Sequence, residues 1–470
     1  MIWGGDMPDV GDVRPVAEGD GQVAAGHPVD QLLPAGRLAS LGLQHVLVMY
    51  AGCVAVPLIV GGALKLPTST IGLLVSADLF TAGIATVIQS LGIGKLIGVR
   101  LPVVAGATFV AVTPMILIGS HYGLPAMYGA LIVAGVVGML LARPFSMVLR
   151  FFPPLVTGTV ITIIGLSLIS AATGLIAGYD PAAASYASPS NLGLAALVLV
   201  FIVLVTRFAR GLLAQLAVLG GLVLGTLVAV PMGLTNFSTV GQAGIIGLSP
   251  PLRFGPPTFQ ASAIISMIIV MLVTFTESTA DMLAVGEMVD RKLGPIDIAR
   301  GLATDGLSAV LAGFFNSFPD TAFAQNVGLV GLTKVRSRYV VTVAGCILIT
   351  LGVLPKVGQV VASLPGPVIG GAALAMFAMV TAVGIRTLSR VDFRLSHNLL
   401  IVAVALGIGM VPVVTPNVYE HFPTYFQVIF GSSITSTVIV VLLLNLLFNE
   451  LPIARSGLDA PVSAPTEPGG

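Results

Sequence analysis

Two interrupted apolar stretches decide the fold class of this chain: LPVVAGATFVAVTPMILIG (residues 101–119) and PDTAFAQNVGLVG (residues 319–331). Both are apolar enough for a membrane, but Gly106 and Pro114 break the first, and a Gln-Asn pair lies in the second. Backbone that leaves the helix at membrane depth must line a cavity or lie buried in protein, because lipid offers it no hydrogen bonds. The two stretches therefore predict broken membrane spans around a polar site.

Composition excludes most other classes of protein. The 470 residues are 56% hydrophobic and only 9% charged, whereas a soluble domain carries roughly a quarter charged residues. The apolar residues fall in blocks that reach the length of about 20 residues needed to cross a bilayer. These numbers exclude a soluble enzyme and a disordered protein. A net charge of +1 without a basic patch also excludes a nucleic-acid partner.

Apolar blocks cut at charges and at Pro or Gly clusters predict fourteen membrane spans. They fall near residues 39–61, 70–91, 102–119, 125–142, 154–177, 192–206, 212–233, 260–285, 296–315, 320–332, 339–355, 362–385, 396–414 and 430–449. If both termini are cytoplasmic, 18 of the 21 Lys and Arg residues lie on that side, and only Lys65, Arg253 and Lys356 lie on the other. This asymmetry obeys the positive-inside rule, so we expect a multi-pass protein of the cytoplasmic membrane in this orientation.

The two broken spans hold matching places, since each is the third span of its half of seven. Because seven is odd, the second half must be inverted relative to the first. Interrupted segments at matching places in inverted halves are the best sequence indication of a transporter's binding site. β-branched and aromatic residues bounded by Gly or Pro predict a short β-strand in each, leading into a half-helix. The predicted fold class is an all-α polytopic membrane protein with two inverted seven-span repeats and short strands in spans 3 and 10.

Five carboxylates fall at predicted membrane depth: Asp78, Glu277, Asp281, Asp305 and Asp320. A charged group there costs several kcal/mol, so each is a functional candidate. Glu277 and Asp281 lie four residues apart on one helix face, where two acids repel each other unless one is protonated. Such a pair suits a proton-coupled carrier.

A structural role is the alternative for each polar candidate. Glu277 would then hydrogen bond without touching a substrate, and Asp281 and Asp305 would anchor neighbouring helices. Asp78, among Ser and Thr residues, is typical of a helix-packing group. His45, beside a Gln, is at least as typical of a satisfied core histidine as of a proton relay. Asp320 either caps a half-helix or shapes the site, and the sequence does not separate these.

The strongest single signal is the amide pair of the tenth span. Gln325 and Asn326 each carry an acceptor and two donors. At a helix break opposite Glu277, they are suited to read the edge of a flat heterocycle. The alternative, polar residues that merely satisfy a broken helix, holds more for Asn326 than for Gln325.

These residues resemble the nucleobase–ascorbate transporter family, also called nucleobase:cation symporter-2, in its xanthine and uric acid permease branch. Its signature is Gln, Glu or Pro, then Asn, any residue, Gly, four residues of any kind, Thr, and Arg, Lys or Gly. The chain matches every fixed position from Gln325 to Lys334. The resemblance also covers GLQHVLVMYAGCVAVPLIVGGAL (42–64), LPVVAGATFVAVTPM (101–115), TFTESTADMLAVGE (274–287) and FFNSFPDTAFAQNVG (314–328).

The resemblance implies an architecture and a mechanism. Spans 1–4 and 8–11 would form a core domain that moves as an elevator against a gate domain of spans 5–7 and 12–14, in a homodimer surrounded by lipid. The corresponding ranges are core at 37–150, gate at 151–258, core at 259–358 and gate at 359–450. Outside the resemblance, composition predicts flexible cytoplasmic tails at 1–36 and 451–470. It implies no cofactor beyond a coupling ion, expected to be H⁺.

The resemblance also assigns roles to residues. Carried over one by one, the substrate-binding positions are Glu277, Gln325, Phe109, Thr108, Ala324, Asn326 and Phe323. The positions that support proton coupling are Asp305, Asp281 and His45. The hydroxyl of Thr108, where several xanthine-specific members have an amide, favours urate or dual urate and xanthine use. The chain departs from many xanthine-type members by having Ala280 in place of a Gly.

The sequence therefore predicts a proton-coupled purine transporter, with uric acid or xanthine as substrate. A uracil permease of the same fold is the alternative, which Gln325 opposes because uracil-type members usually have Glu there. An anion carrier of the related sulfate and borate type is opposed by the carboxylate of Glu277, which would repel an anion. No nucleophile–base set, metal cluster or phosphate loop indicates a membrane enzyme.

Overall fold

The computed structural model describes residues 27–148, 152–178 and 185–451. The helices before residue 250 are α1 (Ala35–Ala63), α2 (Thr68–Leu91), α3 (Val112–Tyr122), α4 (Leu124–Val148), α5 (Pro154–Ala177), α6 (Pro189–Phe208), α7 (Leu212–Gln215), α8 (Ala217–Ala229) and α9 (Ser238–Gln242). Those after it are α10 (Ala261–Met288), α11 (Pro295–Phe315), α12 (Ala324–Thr333), α13 (Arg338–Gly352), α14 (Pro355–Ala362), α15 (Gly366–Leu388), α16 (Ser396–Val414), α17 (Thr424–Phe430) and α18 (Ser433–Asn445). Two strands, β1 (Ala105–Ala107) and β2 (Asp320–Ala322), form one sheet.

Ten helices in the described residues are long and apolar enough to cross a membrane, or eleven if α13 and α14, bent by 80°, form one span. The third, seventh, tenth and eleventh predicted spans correspond to shorter helices. The chain is thus a mostly helical, multi-pass membrane protein, as predicted, while the count of fourteen spans stays a prediction. The predicted boundary at 150–151 and the tail residues 1–26 and 452–470 lie outside the described residues.

The two broken spans contain the short strands that their sequence predicts. β1 pairs antiparallel with β2, with Ala105 opposite Ala322 and Ala107 opposite Asp320. After β1 comes a 3₁₀ turn, Phe109–Ala111, which leads into α3, and after β2 comes α12. Both half-helices therefore begin at the sheet, deep inside the protein, with their unpaired N-terminal N–H groups near it.

Hydroxyl groups on two full-length helices hydrogen bond to the backbone at the outer edges of these strands. The Thr86 hydroxyl of α2 accepts the N–H of Ala105 at 2.9 Å and donates to its carbonyl at 3.1 Å. The Ser278 hydroxyl of α10 accepts the N–H of Ala322 at 3.0 Å. A strand edge at membrane depth has no water to pair with, so it needs such partners. These contacts hold the sheet at a fixed depth between α2 and α10.

Two close helix crossings, α2 with α13 and α4 with α11, have the same geometry. A Cβ built on Gly83 of α2 would lie 2.7 Å from the Gly345 carbonyl oxygen of α13 and 2.7 Å from the nitrogen four residues further on. A Cβ on Gly135 of α4 would lie at the same two distances from Gly306 and from the nitrogen four residues after it in α11. Small residues allow membrane helices to approach until their backbones touch. The pairs α2–α13 and α4–α11 use this device in the same way.

The helices form two groups. The first consists of α1–α4 and α10–α14, and the second, with α5, α6, α8, α15, α16 and α18, packs beside it. α15 lies along α5, α16 packs on α18, and α6 packs on both α8 and α15. Gly165 of α5 lies against Phe377 and Thr381 of α15, where a Cβ would lie 2.2 Å from the Thr381 hydroxyl. These helices meet the helices around the sheet where α5 and α8 pack on α1 and where α18 packs on α10 and α3.

The segment before α1 is packed on one end of the first helix group. Within the predicted tail 1–36, a 3₁₀ turn at Pro28–Asp30 buries Val29 completely. Asp30 pairs with Arg338 at 2.7 Å, and Arg338 also donates to the Ser90 carbonyl at the end of α2. A cation at a helix C-terminus is favourable because the last carbonyls have no helical partner. This segment marks one membrane face of the molecule.

Candidate functional site

The residues that follow each strand lie at opposite ends of a ladder only three residue pairs long. Thr108 follows β1, and its N–H donates to the Pro319 carbonyl at 2.9 Å, just before β2. Phe323 follows β2, and its N–H donates to the Val104 carbonyl at 2.9 Å, just before β1. The sheet thus brings the two predicted broken spans, some 200 residues apart in sequence, into one site.

Thr108 is buried and caps the turn after β1. Its hydroxyl accepts the N–H of Val110 at 3.2 Å, so this residue shapes the backbone as an N-cap does. The next residue, Phe109, is half-buried, and its ring meets Phe377 of α15 edge to face with centroids 5.3 Å apart. Phe109 therefore presents an aromatic surface where the two helix groups meet.

Phe323 packs into the first helix group. A Cβ on Gly52 of α1 would lie 2.6 Å from the Phe323 ring, and one on Gly106 of β1 would lie 2.9 Å from it. The ring fills the space that these two glycines leave, so its side chain supports the site from behind. Ala324, at the first position of α12, is exposed.

Gln325 and Asn326 are neighbours in α12 with different surroundings. The Gln325 side chain is half-buried and makes no hydrogen bond to any described residue, so its acceptor and two donors are free. Asn326 is buried, and its Nδ2 donates to the His45 carbonyl and to His45 Nδ1, both at 3.0 Å. Gln325 can thus contact a ligand, whereas Asn326 ties α12 to α1.

The contact with Asn326 indicates which ring nitrogen of His45 carries the proton. The backbone carbonyl of His45 accepts only, which orients the amide so that its nitrogen faces α1. Nδ1 of His45 must then accept, and the ring proton lies on Nε2. A second proton at Nδ1 would displace the Asn326 donor. His45 is 3% exposed, so its ring lies in the interior with Nδ1 bonded to Asn326.

Glu277 and Asp281 lie on α10 and are both half-buried. The carboxylate of Glu277 makes no hydrogen bond to the described residues, so it is available to a ligand. Its neighbour Ser278 shares a 2.9 Å hydrogen bond with the Thr321 hydroxyl of β2. This bond ties the turn of α10 that carries Glu277 to the sheet, and Phe109 and Gln325 lie shortly after its two strands.

Three further carboxylates, of Asp78, Asp305 and of Asp320 in β2 itself, are buried in the same helix group. Asp320 accepts from Ser308 at 2.5 Å, and Asp78 accepts from Cys53 at 2.9 Å and from Ser317 at 3.3 Å. One oxygen each of Asp305 and Asp320 has no hydrogen-bond partner among the described residues. The ion pairs of the described residues, which involve Arg300, Arg336 and Arg338, include none of these acids. The interior of this helix group thus holds carboxylates without a neighbouring cation.

Some residues of the site have weak or no sequence signals. Ser278 follows Glu277 directly, and a hydroxyl beside an intramembrane acid was its only signal. Ser308 and Thr86 lie on ordinary apolar helices, where hydroxyls usually bond to their own backbone. Phe377 lies in a plain apolar span, and nothing local distinguishes it. Its importance comes from contact with Phe109, which only the packing of α15 shows.

A bundle of apolar helices around a polar site with two half-helices is the architecture of a membrane transporter. Comparison with known proteins identifies the class further. The chain matches the Permease family model (Xan_ur_permease) over residues 36–418. It belongs to this family, the nucleobase–ascorbate transporters, whose members are permeases and not enzymes.

Relatives of known function match nearly the whole chain. It is 46% identical to the uric acid transporter UacT of Escherichia coli, over 90% of this chain and 88% of the relative. It is 42% identical to the xanthine permease of Bacillus subtilis, over 89% and 95%, and 41% identical to the uric acid permease PucJ of the same organism, over 88% and 93%.

Solved structures of distant carriers share the fold. The transmembrane domain of the cyanobacterial bicarbonate transporter BicA aligns with a TM-score of 0.56 at 14% identity, covering 87% of this chain and 98% of that domain. Murine Slc26a9, an anion transporter in the inward-facing state, aligns with a TM-score of 0.58 at 13% identity, covering 88% and 68%. At these identities the likeness concerns the fold alone.

Proposed function

We propose that this chain is a secondary active transporter that takes up oxopurines, uric acid or xanthine, across the cytoplasmic membrane together with protons. The observation that carries the proposal is the free amide of Gln325 and the free carboxylate of Glu277, on the contacting helices α12 and α10. The names of the three relatives above support the substrate class, since two act on uric acid and one on xanthine.

The chemistry of the site suits a flat, polar heterocycle. An oxopurine edge alternates N–H donors and carbonyl acceptors, which a primary amide and a carboxylate complement. Stacking or edge contact with Phe109 would hold the ring plane. The exposed N-terminus of α12 at Ala324 offers backbone N–H groups to a purine carbonyl. In this assignment Thr108, Phe323 and Asn326 shape the site and touch the substrate little.

Proton coupling follows from charge. The carboxylates of Glu277, Asp281 and Asp305 have no cation beside them in the described residues, and each net charge costs a few kcal/mol at membrane depth. A proton that binds with the substrate would neutralise Glu277 and let the loaded carrier move. Asp281 and Asp305 would then support this charge balance, and His45 would hold α1 in place through Asn326.

Two inverted repeats of seven spans are the architecture that we propose. The matched crossings of α2 with α13 and of α4 with α11 support it, because inversion exchanges the second span with the ninth and the fourth with the eleventh. The ranges 37–150 and 259–358 would form the core domain, and 151–258 and 359–450 the gate. Core movement against the gate as an elevator, a homodimer in the lipid bilayer, and cytoplasmic termini complete the proposal.

Uptake of radiolabelled uric acid, xanthine and uracil by cells that express the chain tests this function. Accumulation of an oxopurine that a protonophore abolishes is the expected result. Glu277→Gln should abolish accumulation while the protein stays in the membrane, and Glu287→Gln, an exposed acid of the same helix, is the control. Full proton-driven uptake by Glu277→Gln would contradict the assignment.

Two alternatives would give different results in this assay. A uracil permease would prefer uracil, although Gln325 opposes this alternative because uracil-type members usually have Glu at that position. The fold is shared with bicarbonate and anion transporters, so an anion carrier is the second alternative. The free carboxylate of Glu277 opposes it, because it would repel an anionic substrate. Uptake of bicarbonate or sulfate in place of purine would favour that reading.

A further inference from the structure

A cavity of about 640 Å³ lies between α3, α5, α16 and α17, away from the residues discussed so far. It opens at the end of α1 opposite the N-terminal segment, as its lining by Ala63 shows. Within the described residues, Glu277, Gln325 and Phe109 do not line it. With cytoplasmic termini, as proposed above, this is the outer face of the membrane, so we call the space the outer cavity.

The polar wall of the outer cavity is rich in hydrogen-bond acceptors. Ser167 and Ser170 donate their protons to carbonyls of their own helix, at 3.1 and 2.8 Å, which leaves their oxygen lone pairs to the cavity. The Gln427 nitrogen donates to the Glu420 and Phe422 carbonyls at 3.1 and 2.7 Å. Its side-chain oxygen makes no hydrogen bond to a described residue and is free to accept one.

One buried hydroxyl on this wall has no partner. Ser433, at the first position of α18, is 1% exposed and lines the cavity. Its Oγ makes no hydrogen bond to any described residue. Buried polar groups in folded proteins are almost always hydrogen-bonded, so this hydroxyl adds hydrogen-bonding capacity that no described residue uses to the polar wall of the cavity.

We propose that the outer cavity is a second binding site for the oxopurine, which loads the central site from outside. Its volume falls within the range of about 300–1,000 Å³ typical of small-molecule sites. Apolar side chains such as Ile116 and Val413 also line it, and together with the acceptors they suit a flat ring with N–H donors on its edge. The proposal rests on the proposed function, because it takes the same substrate class.

Kinetics of uptake test the role in loading. Asn417 lines the cavity and is exposed, so Asn417→Trp would obstruct the entrance without disturbing the interior. His421 is exposed nearby and does not line the cavity, which makes His421→Trp the matched control. For uptake of labelled xanthine and uric acid, Asn417→Trp should raise KM by about fivefold or more with a maximal rate within about twofold of wild type. His421→Trp should change neither.

Equilibrium binding to purified full-length protein gives a second readout. Glu277→Gln should lose the tighter class of sites for labelled xanthine and keep a weaker, saturable class. Adding Ser433→Val or Asn417→Trp to Glu277→Gln should remove that weaker class. Absence of saturable binding to Glu277→Gln, or equal KM values for Asn417→Trp and His421→Trp, would overturn the outer site and leave the proposed function standing. A wild-type chain that accumulates no oxopurine would instead overturn both.

Discussion

At the scale of single residues, the contact between Asn326 and His45 separates ligand binding from support. Two adjacent amides of one motif face different ways, since Gln325 is free and Asn326 bonds twice to α1. A helix turns by 100° per residue, so neighbours must differ in this way. The signature therefore combines one group suited to the substrate with one that fastens the half-helix.

Asn326→Ala should destabilise the protein, because it leaves Nδ1 of His45 buried without a donor and removes the second hydrogen bond to the His45 carbonyl. A buried group that loses its partner costs about 1–3 kcal/mol. We expect a lower temperature of thermal unfolding in detergent, measured by size-exclusion of heated samples. Asn236→Ala, at an exposed position, serves as the control, and equal unfolding temperatures for the two variants would contradict the fastening role.

Asp305→Asn should separate binding from transport. Asp305 is 1% exposed, so it has no route to the purine. The role proposed for it is charge balance around Glu277, which matters when the core crosses the hydrocarbon region. The variant should bind labelled xanthine in detergent and lose active uptake in cells.

Asp392→Asn, at an exposed site, should leave both binding and uptake intact. If binding and uptake fall together in Asp305→Asn, or if neither falls, Asp305 is a structural residue and another group must carry the coupling.

At the scale of elements, glycine pairs allow α2 and α13, and α4 and α11, to touch along their backbones. A side chain at Gly345 would meet the Gly83 carbonyl oxygen at 2.8 Å, which is rigid backbone. Of these helices, α2 packs on β1 and α11 packs on β2, so the two crossings help to position the sheet at which both half-helices begin.

Gly345→Val should therefore force α2 and α13 apart and lower stability. Overpacking of a close contact typically costs about 1–3 kcal/mol. Gly407 of α16 has open space around it, with no atom within 4 Å of an added Cβ. Gly407→Val should unfold near the wild-type temperature, and a Gly345→Val protein as stable as Gly407→Val would show that the crossing tolerates separation.

At the scale of the whole molecule, the two helix groups meet at few polar contacts. One is the pair of hydroxyls of Ser266 on α10 and Thr435 on α18, 3.3 Å apart. In the proposed elevator these residues belong to the core and to the gate, so they must separate in each cycle. Ser90 and Thr342, 2.9 Å apart, both lie in the proposed core and must stay together.

A disulfide across the first pair should therefore stop transport. In a Cys346→Ala background, oxidised Ser266→Cys/Thr435→Cys protein should lose at least about nine-tenths of its uptake, and a reductant should restore it. The Ser90→Cys/Thr342→Cys pair should transport in both redox states. Normal uptake by the first variant, with its disulfide verified by mass spectrometry, would rule out the elevator.

The sequence by itself determined the class of protein. Hydropathy and charge asymmetry act locally, so they indicated membrane spans and a likeness to one permease family without any knowledge of packing. The breaks at Gly106 and Pro114 and the polar pair in α12 predicted both short strands, because an interruption in an apolar sequence can be recognised from a few neighbouring residues.

Only the tertiary structure decided what the candidate side chains contact. Thr108 was a substrate candidate, and its hydroxyl caps a turn; Phe323 was another, and its ring packs against Gly52. The partnership of Phe109 with Phe377, the bond from Asn326 to His45 and the outer cavity all join distant parts of the chain. Such contacts depend on how helices cross, which is a property of the assembled bundle and leaves no trace in any single span.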